Sequence, residues 1–289
     1  VAVGNERSAN FGNGIFLQGP AGSAEQLEVN HQWDKSFEFE LAFHRYVRQH
    51  ICSELHHFSP LQLLWEVQIA QLFATRLQEY HELFISCNKS DGNRHWCLAC
   101  DKCCFVAVIL GAFMEPEQLA RALGRDLLSE ATLLPKFRAL LGHSAGGVPS
   151  AAAGAQRGPK PMECVGEPEE VLLCLALSRA RRRQQQQQTE QGEQGEPTEK
   201  GSKKKEKKST AARSKQQGTS SRPGCLEQLS AELDACGPTE ARRLLLGGPV
   251  GGEDLGPQAV LYPQWWTWPA ECLKGLEMAA ETAEVLLAP

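Results

Sequence analysis

The chain has 289 residues, a 42% hydrophobic share and a formal net charge of −5, room for one large domain or two small ones. No apolar run in it reaches the roughly 18 residues that a membrane-crossing helix needs. Its eleven cysteines are explained better by metal binding in a reducing compartment than by a disulfide framework, which a chain of this size does not need.

The chain opens on Val1-Ala2-Val3-Gly4, which reads as the end of a buried strand. The expectation is that an N-terminal portion precedes it. A dense polar cluster follows at once: Asn5, Glu6, Arg7, Ser8 and Asn10. The carboxyl end of a strand followed by polar loop residues is where open α/β sheets bind ligands. Asn30, His31, Gln32, Asp34 and Lys35 repeat the pattern after an intervening loop. The alternative for either cluster alone is a solvated loop.

Residues 37–52 carry two periodicities. Phe37, Phe39, Leu41 and Phe43 alternate like a strand, whereas Phe43, Tyr46, Val47 and Ile51 recur like a helix. Length and the lack of Gly or Pro favour the helix. Glu38 and Glu40 read as solvated side chains. Next, Ser59, Pro60 and Gln62 look like an N-cap, a first-turn proline and the partner in a capping box. The stripe Leu61, Leu64, Trp65, Ile69, Leu72 and Phe73 then predicts one packing helix. Leu83-Phe84-Ile85 reads as a short strand.

Residues 86–104 contain Cys87, then Cys97, Cys100 and Cys103 with two residues between each pair. Three thiols at that pitch cannot all bond one another, yet all can reach one ion. With Cys87 they make the four ligands of a closed tetrahedral zinc site. Iron–sulfur ligation uses Cys at the same pitch, and free buried thiols with a disulfide are the plainer alternative. Cys104 reads as a small core residue. A closed site of this kind staples a fold and leaves the chemistry to other residues. Lys102, inside the loop, either touches an anion or faces solvent.

Residues 103–114 read as a buried helix, Glu115-Pro116 starts a short one ending near Gly124, and Leu127–Leu141 reads as a single amphipathic helix. Residues 144–161 are rich in Gly, Ala, Ser and Pro, as in a loop. Glu163-Cys164-Val165-Gly166 then leads into an apolar helix over Val171–Leu177. Residues 179–223 hold the Arg179–Arg183 run, five glutamines and a lysine-rich run from Lys203. They read as a solvated, low-complexity insertion. No aromatic residues are interleaved, so no specific nucleic-acid partner is expected. Pattern resumes at Leu226, with Leu229 and Leu233 on one helical face. Trp265, Trp266 and Trp268 read as a docking core ahead of a last helix carrying Leu273, Leu276, Ala280, Ala283 and Leu287.

The four cysteines resemble the zinc site of 7-cyano-7-deazaguanine synthase and related PP-loop adenine-nucleotide α-hydrolases. Longer motifs are similar to the UDP-N-acetylmuramoyl-L-alanyl-L-glutamate epimerase family. They are Val3-Gly-Asn-Glu-Arg-Ser-Ala-Asn10, Asn30-His-Gln-Trp-Asp-Lys-Ser36, Ser86-Cys-Asn88, Trp96-Cys-x-x-Cys-x-Lys-Cys-x-Phe-Val106 and Glu163-Cys-Val-Gly166. They cover about 1–178 and fade in the tail. The Gly-rich pyrophosphate loop of PP-loop enzymes is not in this chain. The basic, Gln-rich insertion departs from the family's bacterial pattern.

The resemblance implies an enzyme that inverts the terminal L-glutamate of UDP-MurNAc-L-Ala-L-Glu through an acyl-adenylate. ATP with Mg²⁺ would be consumed to AMP and diphosphate, and Zn²⁺ would be structural. Glu6, Lys35 and Cys164 are the candidate catalytic residues. Asn5, Arg7, Ser8, Asn30, His31, Asp34 and Lys102 are the candidates for substrate and nucleotide binding, and Cys87, Cys97, Cys100 and Cys103 for metal. Competing readings are another adenylate-forming enzyme, such as an amide or nitrile synthase, and a non-catalytic zinc-stapled interaction module. The expected architecture is α/β: part of a PP-loop-like parallel sheet layer with the zinc loop on its rim. The expected divisions are a catalytic portion at 1–178, the insertion at 179–223 and a helical segment at 224–289. The expected compartment is the cytoplasm, or the plastid stroma in a photosynthetic eukaryote.

Overall fold

A computed structural model describes residues 1–20, 23–90, 95–143, 159–194, 223–234, 236–246 and 269–288. The three clustered tryptophans, the run from Lys203 and most of the Gly/Ala/Ser/Pro-rich loop lie outside the described residues.

At the centre is helix α3 (Asp101–Gly111), whose sequence Asp-Lys-Cys-Cys-Phe-Val-Ala-Val-Ile-Leu-Gly is apolar all round after its first turn. A helix with no polar face is stable only when covered on all sides. The cover comes from α2 (Glu66–Arg76), α4 (Pro116–Leu123), α5 (Leu134–Leu140) and α6 (Pro168–Gln194). Phe105, Phe137, Leu119, Leu128 and Leu173 are fully buried in this core. Short helices α7 (Cys225–Gln228) and α8 (Ser230–Leu233) bring Leu226, Leu229 and Leu233 into the same core, as their spacing predicts. Two longer helices, α9 (Pro238–Leu246) and α10 (Ala270–Leu286), pack on each other, and α10 also reaches α2 and α6.

The architecture is mixed and mostly helical. The strands among the described residues are β1 (Phe16–Gln18) and β2 (Gln26–Glu28), paired antiparallel with Leu17 opposite Leu27. The expected parallel sheet layer is therefore not found among the described residues. What stands in its place is one parallel bridge, Ala2 to Phe58, continued by Arg7 N donating to Leu64 O at 2.9 Å. Both partners of that bridge are flanked by irregular chain.

Residues 37–50 form helix α1, capped by Ser36, whose hydroxyl accepts from Phe39 N at 3.3 Å. Glu40, read as solvated, is buried: it accepts from Ser59 N (2.6 Å) and Gln62 Nε2 (3.0 Å). That contact removes Ser59 and Gln62 from the expected capping box. Helix α2 begins at Glu66 instead, where Gln68 Oε1 accepts from the N-cap Trp65 N at 2.9 Å. Leu83–Ile85 is turn and irregular chain rather than strand, and Leu127–Leu141 is two 3₁₀ turns followed by α5.

The expected boundary at residue 179 falls inside a single helix. α6 continues to Gln194, and its basic run is engaged rather than solvated. Arg179 pairs with Asp234 (2.6 Å), Arg181 with Glu115 (2.7 Å) and Arg182 with Asp126 (2.8 Å). Two of those arginines fasten α6 to the turns beside α4, and the third holds α8.

Helix α4 ends on Gly124 in the left-handed region, φ 91°. An added Cβ there would touch nothing within 4 Å, so substitution meets backbone strain alone. Gly124→Ala is expected to lower stability by about 1 kcal/mol, read as the shift in the urea midpoint at unchanged m-value.

Candidate functional site

The four cysteines converge. Sγ atoms of Cys87, Cys97, Cys100 and Cys103 all lie within 4.8 Å of one another, and those of Cys97 and Cys103 are 3.7 Å apart. Ligands about 2.3 Å from a tetrahedral zinc are about 3.8 Å from each other, so an ion fits with little rearrangement. No disulfide joins the described cysteines. The local chain builds the donor set. Leu98 takes a left-handed conformation, φ 59°, folding Cys97 and Cys100 to one side. Cys100 caps α3, its sulfur accepting from Cys103 N at 3.3 Å. Cys87 Sγ accepts from Lys89 N (3.3 Å) and Cys97 N (3.5 Å). Burial works against ionising the Cys97 thiol, but N–H groups of Ala99 and Cys100 overcome it and bring it down to about 7. Burial and the neighbouring thiols push Cys103 well up; a cation is what would hold the whole set as thiolates. Cys104, beside them, is fully buried in the core, as expected of it.

The Glu163–Gly166 segment docks against this loop. Glu163 accepts from Lys102 N (2.8 Å), in the first turn of α3, and from Asn88 Nδ2 (3.3 Å). A carboxylate at a helix N-terminus meets unsatisfied N–H groups and the favourable end of the dipole. Lys102 Nζ donates to the Cys164 carbonyl and lies 5.1 Å from the centre of the Phe105 ring. Gly166 packs so closely that an added Cβ would come within 2.8 Å of the Glu170 carboxylate and 3.0 Å of Phe105.

Cys164 itself faces the second polar cluster. Lys35 Nζ donates to Cys164 Sγ at 3.1 Å. Burial opposes the Lys35 ammonium, yet Cys164, Glu6 and Asp34 together raise its pKa above the usual lysine value. Glu6 is buried nearby, within electrostatic reach of both Lys35 and Lys102. Burial, with Glu66 and Glu170 adding their charge, pushes its carboxyl up to about 8. The Glu170 carboxyl is raised to about 7, first by burial and then by Glu66.

Glu6, Lys35, Lys102 and Cys164 are thus brought together from four separate segments. His31 flanks them: its Nδ1–H donates to Asn13 Oδ1 at 2.9 Å. Burial, then the charges of Lys160 and Lys35, lowers its pKa. Other expected ligand-binding residues are turned to structural work. Ser8 is fully buried and donates to Glu170 Oε2 at 2.7 Å. Asn30 Nδ2 donates to Ala9 O at 2.8 Å, tying the two motifs together. Asn5 offers its carbonyl to Ser59 Oγ at 2.6 Å. Arg7 lies 4.9 Å over the Trp65 ring, and Asp34 is exposed. Sequence reasoning missed Glu163, Glu170 and Lys160. Glu170 carried one signal, an acid two residues after Pro168 at the head of an otherwise apolar helix.

The two raised carboxyls set a pH dependence. Each binds its proton more tightly folded than unfolded, so the folded state loses stability as pH rises from the unfolded value near 4.5 through about 7 and 8. Between pH 6 and 8, urea stability is expected to fall by on the order of 4 kcal/mol. Glu6→Gln should flatten that slope; an unchanged slope in the variant would show that Glu6 ionises freely.

Comparison with known proteins places these motifs. The MurL N-terminal domain model matches residues 1–60 and the MurL C-terminal domain model matches residues 83–208. The chain is 36% identical over 187 residues to the UDP-N-acetyl-alpha-D-muramoyl-L-alanyl-L-glutamate epimerase of Xanthomonas oryzae pv. oryzae (strain MAFF 311018), a match covering 63% of this chain and 37% of that protein. It is 35% identical over 181 residues to the protein of the same name from Micromonospora sp. (strain ATCC 39149 / NRRL 15099 / SCC 1413), covering 61% and 36%. The chain therefore spans little more than a third of the length of the curated relatives it matches. No solved structure matches it. With both domain models in register with the polar clusters and the cysteine loop, the chain belongs to the MurL epimerase family.

Proposed function

We propose that this chain carries proton-transfer machinery for inverting the terminal L-glutamate of UDP-MurNAc-L-Ala-L-Glu, a step in making peptidoglycan precursors. The observation that supports it most is the 3.1 Å contact between Lys35 Nζ and Cys164 Sγ, with Glu6 within electrostatic reach of Lys35. Inversion needs one group to take the Cα proton and another to return a proton on the opposite face. Cys164, hydrogen-bonded by Lys35 Nζ, is the base. Glu6, kept protonated to about 8 by burial and by Glu66 and Glu170, is the acid. Lys102 and His31 are placed to receive carboxylate oxygens. The ordinary carboxylate of glutamate stabilises a carbanion at Cα badly, and activation with ATP and Mg²⁺, releasing AMP and diphosphate, supplies the missing acidity.

A zinc ion held by Cys87, Cys97, Cys100 and Cys103 supplies a fixed cross-link at the start of α3. Through Lys102 and Glu163 that helix end sets the position of Cys164. Among the described residues no helix is long and apolar enough to cross a membrane, and the matched relatives are bacterial. We place the reaction in the cytoplasm.

The test uses the whole gene product with ATP, Mg²⁺ and UDP-MurNAc-L-Ala-L-Glu, measuring AMP release and the chirality of glutamate after hydrolysis. D-glutamate formed together with AMP is the expected result. AMP without inversion would mean a different adenylating reaction, and neither product from folded, zinc-loaded protein would sink the enzymatic reading for this substrate.

A further inference from the structure

Lys35 and Cys164 are half-buried, 129 positions apart in the sequence, and in direct hydrogen-bond contact. An amine held against a thiol makes a pair that can be joined when the sulfur is oxidised. We propose that Lys35 and Cys164 form a modification site, in which hydrogen peroxide links the two side chains through a reversible Sγ–Nζ sulfenamide bond. The proposal does not depend on which reaction the protein catalyses.

The chemistry balances in two steps. The Cys164 thiolate attacks one peroxide oxygen; an S–O bond forms, the O–O bond breaks and hydroxide leaves, taking a proton to become water. Sulfur is oxidised and peroxide reduced, giving the sulfenic acid. The Lys35 amine then attacks Sγ. An S–N bond forms, the S–O bond breaks, and the departing hydroxide takes the amine proton as a second water. The sum is thiol, amine and peroxide going to sulfenamide and two waters, with a net loss of two hydrogens from the protein.

The surroundings favour the second step. Cys164 is among the groups that raise the Lys35 pKa, against the opposing effect of burial. Sulfenic acid carries no thiolate charge, so oxidation removes that part of the support for the ammonium form. Lys102, the other nearby amine, is committed to the Cys164 carbonyl rather than its sulfur. Anchoring by Glu163 and Lys102 keeps the segment in place while the bond forms. A small oxidant reaches the pair, since both residues are part-exposed.

The test treats zinc-loaded protein with hydrogen peroxide, then maps tryptic peptides without reductant. Expected is a cross-linked species pairing the Lys35 and Cys164 peptides, two hydrogens lighter than their sum. Cleavage after Lys35 should be lost in the linked fraction, and dithiothreitol should restore it. In Lys35→Arg the link should vanish, and sulfinic acid at Cys164 should rise several-fold, because no amine intercepts the sulfenic acid. Cys164 recovered in the parent as sulfinic acid, or in a disulfide with another cysteine, with cleavage after Lys35 intact, would overturn the proposal. So would an equal sulfinic yield in the parent and Lys35→Arg.

Discussion

Protein carrying Cys103→Ser is expected to bind no zinc and to lose most of its cooperative unfolding transition. Cys103 is fully buried in α3, and its sulfur is 3.7 Å from that of Cys97. A serine hydroxyl is a poor zinc ligand, so the site drops to three donors. Metal binding energy in structural sites of this kind is folding energy, on the order of 10 kcal/mol in small domains. Here the loss is shared with a large apolar core, so collapse is not total: α3, α5 and α6 keep their contacts, while residues 86–100 lose their anchor. Metal analysis should find about one zinc per chain in the parent and none in the variant. Circular dichroism should show most helix retained with a broadened melt. An unaltered melt at zero metal would mean that the cysteines are merely buried thiols.

The second large effect is catalytic. Lys35→Met and Cys164→Ala should each lower the rate of D-glutamate formation by roughly 10²–10⁴, the range that a positioned acid or base contributes. Because the two side chains act as one hydrogen-bonded unit at 3.1 Å, the double variant should be little worse than either single one, since paired groups are strongly non-additive. Additive losses would show that they serve separate steps. AMP release offers an internal control. If it persists in Cys164→Ala while inversion stops, the sulfur belongs to proton transfer; if both stop together, the substitution has disturbed binding or activation.

Much of the helical frame was legible because its signals are local. The run after Cys103, with no polar face, could only be a buried helix, and Glu115-Pro116 with Gly124 marked both ends of α4. The cysteine spacing located the metal loop for the same reason: four donors within seventeen residues are constrained by chain geometry alone. Signals failed where a side chain had a distant partner. Ser59 and Gln62 fit a capping box, but Glu40, some twenty residues earlier, takes both of their donors. Arg179, Arg181 and Arg182 read as a solvated run because Asp234, Glu115 and Asp126 are remote in sequence. The site divides the same way. Lys35 and Cys164 could be nominated by type, but only the fold puts them in contact. Ser8 was a candidate for substrate and nucleotide binding by type, and only the fold shows its hydroxyl donating to Glu170. Glu163 gave no sign of its role, since a carboxylate capping a helix from sixty residues away leaves no local pattern.

Helix α6 carries a consequence for how this protein can vary. It begins beside the site, with Glu170 in its first turn, and the described chain continues along it to Gln194. At about 1.5 Å per residue that is roughly 36 Å of separation. Gln194 therefore lies far from Glu170, at the end of a helix whose arginines are bonded to the body of the protein. A reporter inserted after Gln194 should be carried without loss of activity.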